Sequence, residues 1–414
     1  MQKIPKDKMP DSSLALLADG YEFITKRCEK YQSDVFETKL LFERRICMKG
    51  EEAAKVFYDK ELFKREGAAP DKVKKTLFGE GGVQGLDGES HAKRKMMFMS
   101  MMSPEGLAKL RSLMEEQWQR HLEKWVKQDE VKLFDEAEDI VFKAVCKWSG
   151  IPLKDKEVKK RRKQVGALIE GSGAVGIHLL ALRGRSKAEK WISRLVKDIR
   201  KGDLNVEENT ALHTIAFHKD ADGTQLNPRI AAVELLNVIR PTVAVDRYIV
   251  FAALALHEYP GYKQRIRKGD DEFVELFVQE VRRYYPFFPF TTAVVKKDFE
   301  WKGFKFEKDT NVLLDLYGTN HDARSWENPE KFRPQRFSNW NESPYNFIPQ
   351  GGGSHEKNHR CPGEWITIDT MKIAVKFLCR KMDYQVPKQD LTVSMSRIPA
   401  LPASGFIIKN VRPL

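Results

Sequence analysis

The stretch FIPQGGGSHEKNHRCPGEWI, residues 347–366, decides how this chain folds and what it binds. Three glycines lead into a polar loop, the loop ends on Cys361, and an apolar pattern typical of a helix follows Pro362. A thiol at the start of a helix lies near unpaired backbone N–H groups and the positive end of the helix dipole, and both favour the thiolate. Gly363 lets another group approach the backbone closely. The stretch therefore predicts a thiolate that faces something bulky.

Such a thiolate has several roles open to it. It can be a nucleophile, a zinc ligand or the axial ligand of a haem, and a packed structural cysteine is the remaining alternative. A nucleophile needs a base, for which His355 and His359 are candidates, whereas zinc needs more ligands at suitable spacing than these residues offer. The chain has five cysteines, an odd number without the spacing of a zinc clip or a redox pair. We therefore expect no disulfide framework, and Cys361 would act alone.

Length and composition indicate an ordinary globular protein. The chain has 414 residues, 41% of them hydrophobic and 32% charged, which is enough for a sizeable core. Its longest uninterrupted apolar run, Tyr248–Leu256, is too short to cross a bilayer. Residues 1–13 carry charges without the apolar segment of a secretory signal. We expect a cytoplasmic protein with no transmembrane segment.

The chain is basic, with a net charge of +13. Such a charge can attract nucleic acid, an anionic membrane or acidic small molecules. The densest run, Lys159–Lys163, belongs to a longer charged stretch with helical character and has no interleaved aromatic residues on which bases could stack. It therefore predicts a solvated helix face, and we expect no nucleic-acid partner.

Hydrophobic periodicity predicts a mainly α-helical fold. Apolar residues recur at helical spacing over 103–128 and over 135–149. The long apolar segment Ile230–His257 is too continuous for a strand and predicts one central buried helix. Residues 270–285 form a further predicted helix, which ends at Pro286.

The predicted strands are short and peripheral. Residues 35–48 alternate loosely and suggest a hairpin, and three short runs lie within 291–314. Near the C-terminus, TVSMS (392–396) and GFIIKNV (405–411) suggest a last strand pair. Because no repeat, low-complexity tract or linker interrupts the chain, we expect residues 1–414 to form a single helical domain with small peripheral β-sheets.

A second motif supports the special role of Cys361. Glu280 and Arg283 lie three residues apart on one predicted helix and can pair, and Arg336 follows in the segment FRPQRF. This order, an ExxR helix, a PxRF segment and a glycine-rich loop into RCPG, resembles the cytochrome P-450 superfamily of haem-thiolate proteins over essentially the whole chain. The resemblance implies the cytochrome P-450 fold, with haem b between the central helix and the cysteine-loop helix. It also implies that Cys361 is the iron ligand and that Glu280, Arg283 and Arg336 form the structural triad.

The central helix indicates which branch of the superfamily is present. Oxygen-activating members carry an acid followed by a threonine there, and this chain has Arg240-Pro241 instead. Proline kinks a helix, and an arginine among apolar residues is costly unless an anion meets it. A guanidinium binds a carboxylate through a two-pronged contact. The alternative is an arginine that reaches the surface at the kink, but the pair predicts a buried Arg240 that awaits a substrate carboxylate.

The Arg-Pro pair, together with QGLDGESHAKRK (84–95) and HRCPGEWIT (359–367), resembles the bacterial fatty-acid peroxygenases, which use hydrogen peroxide directly. The resemblance implies an enzyme that hydroxylates long-chain fatty acids at the β and α carbons, with decarboxylation to terminal alkenes as a side reaction. The substrate carboxylate, bound by Arg240, would serve as the acid–base group for peroxide, so no redox partner is needed. We expect a monomer or a weak homo-oligomer.

The same resemblance implies roles for further residues. Pro241 and Gln84 would contribute to catalysis, Gln84 and Phe288 would contact the substrate, and basic side chains would pair with the haem propionates. The predicted propionate partners are Arg65, His91, Lys95 and His359.

Three alternatives stay open beside this interpretation. The first is a fatty-acid monooxygenase that depends on redox partners, although the missing acid–threonine pair argues against it. The second is a fatty-acid hydroperoxide isomerase, and the third is a protein that binds haem or fatty acid without turnover.

Overall fold

A computed structural model describes residues 2–171, 173 and 176–414 of the chain. Helices dominate, and long amphipathic helices surround a large apolar core. The helices are α1 Ser13–Asp19, α2 Phe23–Tyr31, α3 Glu51–Phe57, α4 Asp71–Val73, α5 Gly88–Ser100, α6 Pro104–Trp125, α7 Leu133–Trp148, α8 Asp155–Glu170, α9 His178–Lys201, α10 Ala211–Phe217, α11 Pro228–Val243, α12 Asp246–Glu258, α13 Pro260–Arg267, α14 Asp271–Tyr284, α15 Leu316–Asn320 and α16 Glu364–Lys376. Short 3₁₀ or π turns lie at Gly20–Glu22, Lys74–Phe78, Val83–Gly85, Pro334–Asn339 and Phe377–Lys381.

The helices predicted over 103–128, 135–149 and 270–285 correspond to α6, α7 and α14. Helix α6 begins where expected from its sequence, because the Ser103 hydroxyl accepts a hydrogen bond from the Gly106 N–H and a proline occupies the first turn. The apolar positions of α6 and α7 face the same core, in which Trp118 and Trp125 are fully buried. These three predictions are confirmed.

The prediction of one continuous helix over Ile230–His257 is wrong. Helix α11 ends at Val243 and α12 begins at Asp246. Pro241 has no N–H to donate to the carbonyl one turn back, which weakens the end of α11. Across the junction the backbone N–H of Val245 donates to the Thr242 carbonyl at 3.2 Å, so the chain passes through a tight turn before the helical path resumes. Both halves remain buried in the core.

The predicted hairpin and the strands between 291 and 314 are present. The strands are β1 Val35–Leu40, β2 Glu43–Met48, β3 Phe63–Lys64, β4 Glu130–Lys132, β5 Phe290–Val295, β6 Phe299–Trp301, β7 Phe304–Phe306, β8 Asn311–Asp315, β9 Met382–Gln385 and β10 Ile407–Pro413. A five-stranded sheet has the order β1-β2-β8-β5-β3, with β2 and β8 parallel and the other pairs antiparallel. Strands β6 and β7 form a separate hairpin.

The predicted pairing of 392–396 with 405–411 is wrong. Strand β10 pairs with β4 along one edge and with β9 along the other. Because a strand has only two edges, no edge of β10 is left for the 392–396 segment. Within the described residues, the strand-like pairing of that segment is limited to an isolated bridge between Val393 and Pro402.

The basic run Lys159–Lys163 lies on α8. Lys159, Lys160 and Lys163 are exposed, and Arg161 pairs with Glu157 at 3.2 Å. The three lysines form a solvated helix face, as predicted, whereas the side chains of Arg161 and Arg162 are mostly buried and pair with acids. All five cysteines are free, and in the described part of the chain no helix is long and apolar enough to cross a membrane.

Candidate active site

The glycine-rich loop holds Cys361 in a closely packed backbone. Gly351 and Gly353 have positive φ angles of 92° and 80°, and a Cβ added at Gly352 would lie 2.8 Å from the Ile348 side chain. The Cys361 N–H donates to the Gln350 carbonyl at 3.0 Å, which fixes the end of the loop. Helix α16 begins at Glu364, so the preceding proline lies just before the first helical turn and not within it.

Two opposing effects act on the Cys361 thiol. Burial raises its pKa, whereas the Gly363 N–H and the nearby Lys95 ammonium lower it. The expectation of a thiolate stabilised by the helix start alone is therefore too simple, because burial outweighs the N–H group. A coordinated metal ion deprotonates a thiol outright. In the described residues no cluster of three or more His, Cys, Asp and Glu side chains could hold a metal ion. A single thiolate fits haem iron, because the porphyrin nitrogens already bind the iron and the protein has to add only one ligand.

Four basic side chains gather beside the cysteine loop, namely Arg65, His91, Lys95 and His359. The two imidazole rings stack with their centroids 3.9 Å apart. The Arg65 Nη1 donates to the Thr292 carbonyl at 2.7 Å, and Lys95 Nζ donates to the Arg360 carbonyl. The structure thus brings the predicted propionate partners together from α5, the chain after β3 and the loop before Cys361.

These basic side chains have few carboxylates near them. Burial, followed by the positive charge of Lys95, lowers the pKa of His91 to about 4. Burial also lowers the pKa of Lys95 to about 8. Asp87 lies 3.9 Å from the His359 Nε2 and already accepts the backbone N–H of Arg65. Two buried cations, Arg65 and Lys95, have no paired carboxylate among the described residues, which fits the carboxylates of a haem, and the two imidazoles offer further hydrogen bonds to them.

A second charged cluster, formed by Glu280, Arg283 and Arg336, is fully paired. Glu280 receives two hydrogen bonds of 2.8 Å from Arg283 and one of 3.2 Å from Arg336. Its Oε1 also accepts the backbone N–H of Arg333 at 2.7 Å. The structure therefore places the three predicted triad residues in contact, with Glu280 and Arg283 completely buried.

A further ion-pair network joins α14 to α16. Arg282 pairs with Glu364, which also receives Arg360 at 2.7 Å and His355 at 2.8 Å. Burial alone would raise the pKa of Glu364, but these partners hold it well below its usual range. His355, considered above as a base for a nucleophile, is thus committed to Glu364, and its ring stacks on Trp365. The sequence hint for this network was Arg282 itself, a second arginine beside Arg283 in the motif EVRR (280–283).

Arg240 is buried and incompletely paired. Its side chain lies in α11 with 7% of the residue exposed, so the alternative of an arginine at the surface is wrong. Its Nη2 donates to the Asn237 Oδ1 at 3.2 Å, and its Nε is buried without a partner. Burial and, secondarily, the Arg185 charge lower the pKa of Arg240 to about 9. No carboxylate of the described residues pairs with it.

Asn237 connects Arg240 to a polar network that the sequence did not reveal. Its Nδ2 donates to the Gln84 Oε1 at 3.2 Å and to the Glu234 Oε2 at 3.0 Å. Gln84 therefore reaches Arg240 through Asn237 and not directly. The signal for Asn237 was its position three residues before Arg240, on the same helix face. Phe288, the other predicted substrate contact, is half-buried against the apolar cluster of the five-stranded sheet.

Comparisons with known proteins agree with this arrangement. The family pattern described as Cytochrome P450 matches residues 272–409. A curated relative, beta-amyrin 28-monooxygenase of Vitis vinifera, is 25% identical over 95% of this chain and 88% of its own. The solved structure of cytochrome P450EX alpha (CYP152N1) with myristic acid is 45% identical, covers 100% of both chains and has a TM-score of 0.96. A single-residue variant of cytochrome P450 OleT in complex with arachidonic acid is 34% identical over 99% of both chains, with a TM-score of 0.97.

The chain belongs to the cytochrome P450 family. Within that family it is a haem-thiolate enzyme of the bacterial fatty-acid peroxygenase branch, and its cofactor is thiolate-ligated haem b. The predicted fold class, a mainly helical cytochrome P-450 fold with small sheets, is confirmed.

Proposed function

We propose that this protein uses hydrogen peroxide to hydroxylate long-chain fatty acids at the β carbon and, to a lesser extent, at the α carbon. The observation that carries the proposal is Arg240, a buried guanidinium that lacks a carboxylate partner among the described residues. Burying an unpaired charge is expensive, and a fatty-acid carboxylate would offset that cost. Two structures similar to this chain are named as complexes with myristic acid and arachidonic acid.

The bound haem supplies peroxide activation and oxygen insertion, and the chain supplies its ligands. Cys361 would bind the haem iron through its thiolate. The propionates would meet the cationic side chains of Arg65 and Lys95 and the imidazoles of His91 and His359, whose pKa values are lowered first by burial and then by neighbouring basic groups. The triad of Glu280, Arg283 and Arg336 would keep the backbone behind the cysteine loop rigid.

Arg240 has two tasks in this proposal. It binds the substrate carboxylate through a two-pronged contact and thereby orients the acid. The bound carboxylate then serves as the general acid–base group: it takes a proton from one peroxide oxygen and returns it to the other. The nearest hydroxyl on α11, that of Thr242, donates to the Val238 carbonyl at 2.8 Å and is therefore engaged. Pro241 leaves the Asn237 carbonyl without its usual helical N–H donor.

The position of hydroxylation follows from where Arg240 holds the substrate carboxylate. A carboxylate held at Arg240 keeps its nearest carbons, α and β, at a fixed distance from the reacting centre. Gln84, linked to Arg240 through Asn237, and Phe288 would contact the chain of the acid. We propose that β-hydroxylation is favoured, with decarboxylation to terminal alkenes as a side reaction. Product analysis that found mainly terminal alkene would overturn this preference.

The proposal extends to partners and location. Because the substrate itself provides the acid–base group, no redox partner is required. We infer that residues 1–414 form one haem-thiolate domain, that the protein is a monomer or a weak homo-oligomer, and that it acts in the cytoplasm.

The decisive experiment is peroxide-driven turnover of myristic acid by the haem-loaded protein, without a reductase. Arg240→Ala should lose about 10²- to 10⁴-fold in turnover, since both the carboxylate contact and the acid–base group are lost. The reduced, carbon monoxide-bound spectrum should keep its thiolate signature. The matched control is Arg200→Ala, because Arg200 donates to the Ala216 and Leu226 carbonyls away from the site.

Two results would contradict the proposal. One is near-normal turnover by the Arg240 variant. The other is a wild-type protein that needs a reductase, or that converts only fatty-acid hydroperoxides, as the alternative enzymes would.

A further inference from the structure

A buried ion pair is connected to Arg240 through Asn237 and has no part in the proposed reaction. Arg94 of α5 donates to the Glu234 Oε1 of α11 at 2.7 Å, and both side chains are almost completely buried. We propose that this pair is a positioning device: it orients Asn237 and prevents Glu234 from competing with the substrate carboxylate for Arg240. The inference rests on the proposed binding of a fatty acid by Arg240.

Arg94 connects three parts of the structure through one planar guanidinium. Besides Glu234, its Nη1 donates to the Gly81 carbonyl at 2.7 Å, in the loop that leads to Gln84. Its Nε and Nη2 donate to the two oxygens of Asp220 at 2.9 and 2.7 Å. A fixed fork of donors can hold three acceptors at set angles, which a lysine ammonium cannot do. Arg94 thus fixes the Gln84 loop against α11.

Glu234 determines which way the Asn237 amide faces. An ionised carboxylate only accepts hydrogen bonds, so the amide group that meets Glu234 must be the NH₂. The same NH₂ donates to the Gln84 oxygen, which leaves the amide oxygen of Asn237 directed at Arg240. With this oxygen as acceptor, the Arg240 guanidinium is held by a neutral group. If the amide turned over, two donors would face each other and the guanidinium would lose its only hydrogen bond among the described residues.

The pair also controls charge near the substrate site. Glu234 is separated from Arg240 by a single side chain, Asn237, and is itself completely buried. Without Arg94, the cations left near Glu234 would be Arg185 and, one amide away, Arg240. Glu234 and Arg240 would then attract each other in a medium of low polarity, and a fatty acid would have to compete with Glu234 for the Arg240 guanidinium. Arg94 therefore keeps Arg240 available as an unpaired cation.

The first test measures fatty-acid binding without peroxide, through the change in haem absorbance when myristic acid is added. Glu234→Gln should raise the Kd about three- to tenfold, because a glutamine amide can present either its oxygen or its NH₂ to Asn237. In an Asn237→Ala background the same substitution should have no further effect on the Kd. A residue that acts only on overall stability would instead change the Kd by the same factor in both backgrounds.

The second test uses rescue. Arg94→Met should raise the Kd by about tenfold or more, because it releases Glu234. Adding Glu234→Gln to Arg94→Met should then recover part of the lost affinity. A merely structural ion pair predicts the reverse, since a second buried substitution would add damage.

A matched control is Asp246→Asn, which alters another buried carboxylate paired with an arginine, Arg247 at 2.7 Å, away from Asn237. It should leave the Kd unchanged. Equal effects of Glu234→Gln with and without Asn237, or no rescue of Arg94→Met, overturn the inference. If Arg94→Met fails to bind haem, the Glu234 and Asn237 cycle decides alone. If wild-type protein shows no response to fatty acid, the proposed function fails instead.

Discussion

Two buried arginines on two core helices of this protein differ in how their charges are met. Arg283 is fully buried, and all three of its guanidinium nitrogens donate: two to Glu280 at 2.8 Å, with others to the Asn320 and Pro329 carbonyls. Arg240 is almost as buried, yet among the described residues it has a single hydrogen bond, 3.2 Å to an amide oxygen, and its Nε has no partner. The first arginine is satisfied by the fold, whereas the second has no matching anion among the described residues, which is why we propose that it binds a carboxylate.

The difference between the two arginines lies in what offsets the cost of burying a charge. Removing a guanidinium from water is costly in either place. Around Arg283 the cost is offset within the chain, so the residue contributes to rigidity. Around Arg240 it is not, so part of the cost is recovered only when an anion binds.

The largest expected effect comes from removing the acid of the paired cluster. Glu280→Ala leaves the guanidinium groups of Arg283 and Arg336 without their carboxylate, and we expect a loss of about 3–5 kcal/mol in the free energy of unfolding. Denaturant unfolding of the haem-loaded protein measures it. As a control, Glu327→Ala removes only the exposed partner of Arg333 and should change stability by less than about 0.5 kcal/mol. Equal losses in the two variants would contradict the comparison.

A smaller effect concerns a histidine next to the same cluster. Burial, and then the Arg283 charge, lowers the pKa of His321 to about 3, and its Nε2 is buried without a partner. The unfolded chain takes up this proton near pH 6.5 but the folded chain does not, so stability falls as pH drops from 6.5 toward 3. We expect His321 to account for about 2 kcal/mol of that loss by about pH 5.

His321→Phe keeps the aromatic contact with Tyr317 and removes the titrating group. The free energy of unfolding of this variant, followed between neutral and acidic pH, should fall less steeply than that of the wild type. His257→Phe, at an exposed position of α12, serves as the control and should leave the slope unchanged. An identical slope in the His321 variant would mean that the imidazole is protonated in the folded protein.

Local patterns in the sequence were sufficient for the elements that local forces determine. The amphipathic helices α6, α7 and α14 and the first hairpin were predictable because their apolar residues recur with the period of the element. The pairing of Glu280 with Arg283 was also predictable, since three residues on one helix bring the side chains together. The chain has no acid three or four residues from Arg240, and this difference already distinguishes the two arginines by sequence alone.

Contacts between distant segments were predictable only where the family resemblance implied them, as for Arg336 with Glu280. The ion pair of Arg94 with Glu234 joins positions 140 residues apart, and neither residue has a local signal. The break between α11 and α12 depends on how Pro241 and the turn after Thr242 share hydrogen bonds, which composition does not reveal. The failed pairing of 392–396 has the same origin: β10 had both edges occupied by strands from elsewhere in the chain.

The smallest expected change in stability is also the sharpest test of the comparison. Arg240→Met replaces an incompletely paired buried guanidinium by an apolar side chain of similar length. We expect the free energy of unfolding of the fatty-acid-free, haem-loaded protein to stay the same or rise by about 1 kcal/mol. Arg283→Met, the matched variant, should lose at least about 3 kcal/mol because it leaves Glu280 short of its main partner.

Added myristic acid should then separate the two positions further. A ligand that binds only the folded protein raises its melting temperature according to its Kd. The wild type and Arg283→Met should both gain stability from the acid, whereas Arg240→Met should gain little, because the contact that holds the carboxylate is gone. If Arg240→Met were instead as unstable as Arg283→Met, and still stabilised by the acid, Arg240 would be a structural residue and the carboxylate would have to bind elsewhere.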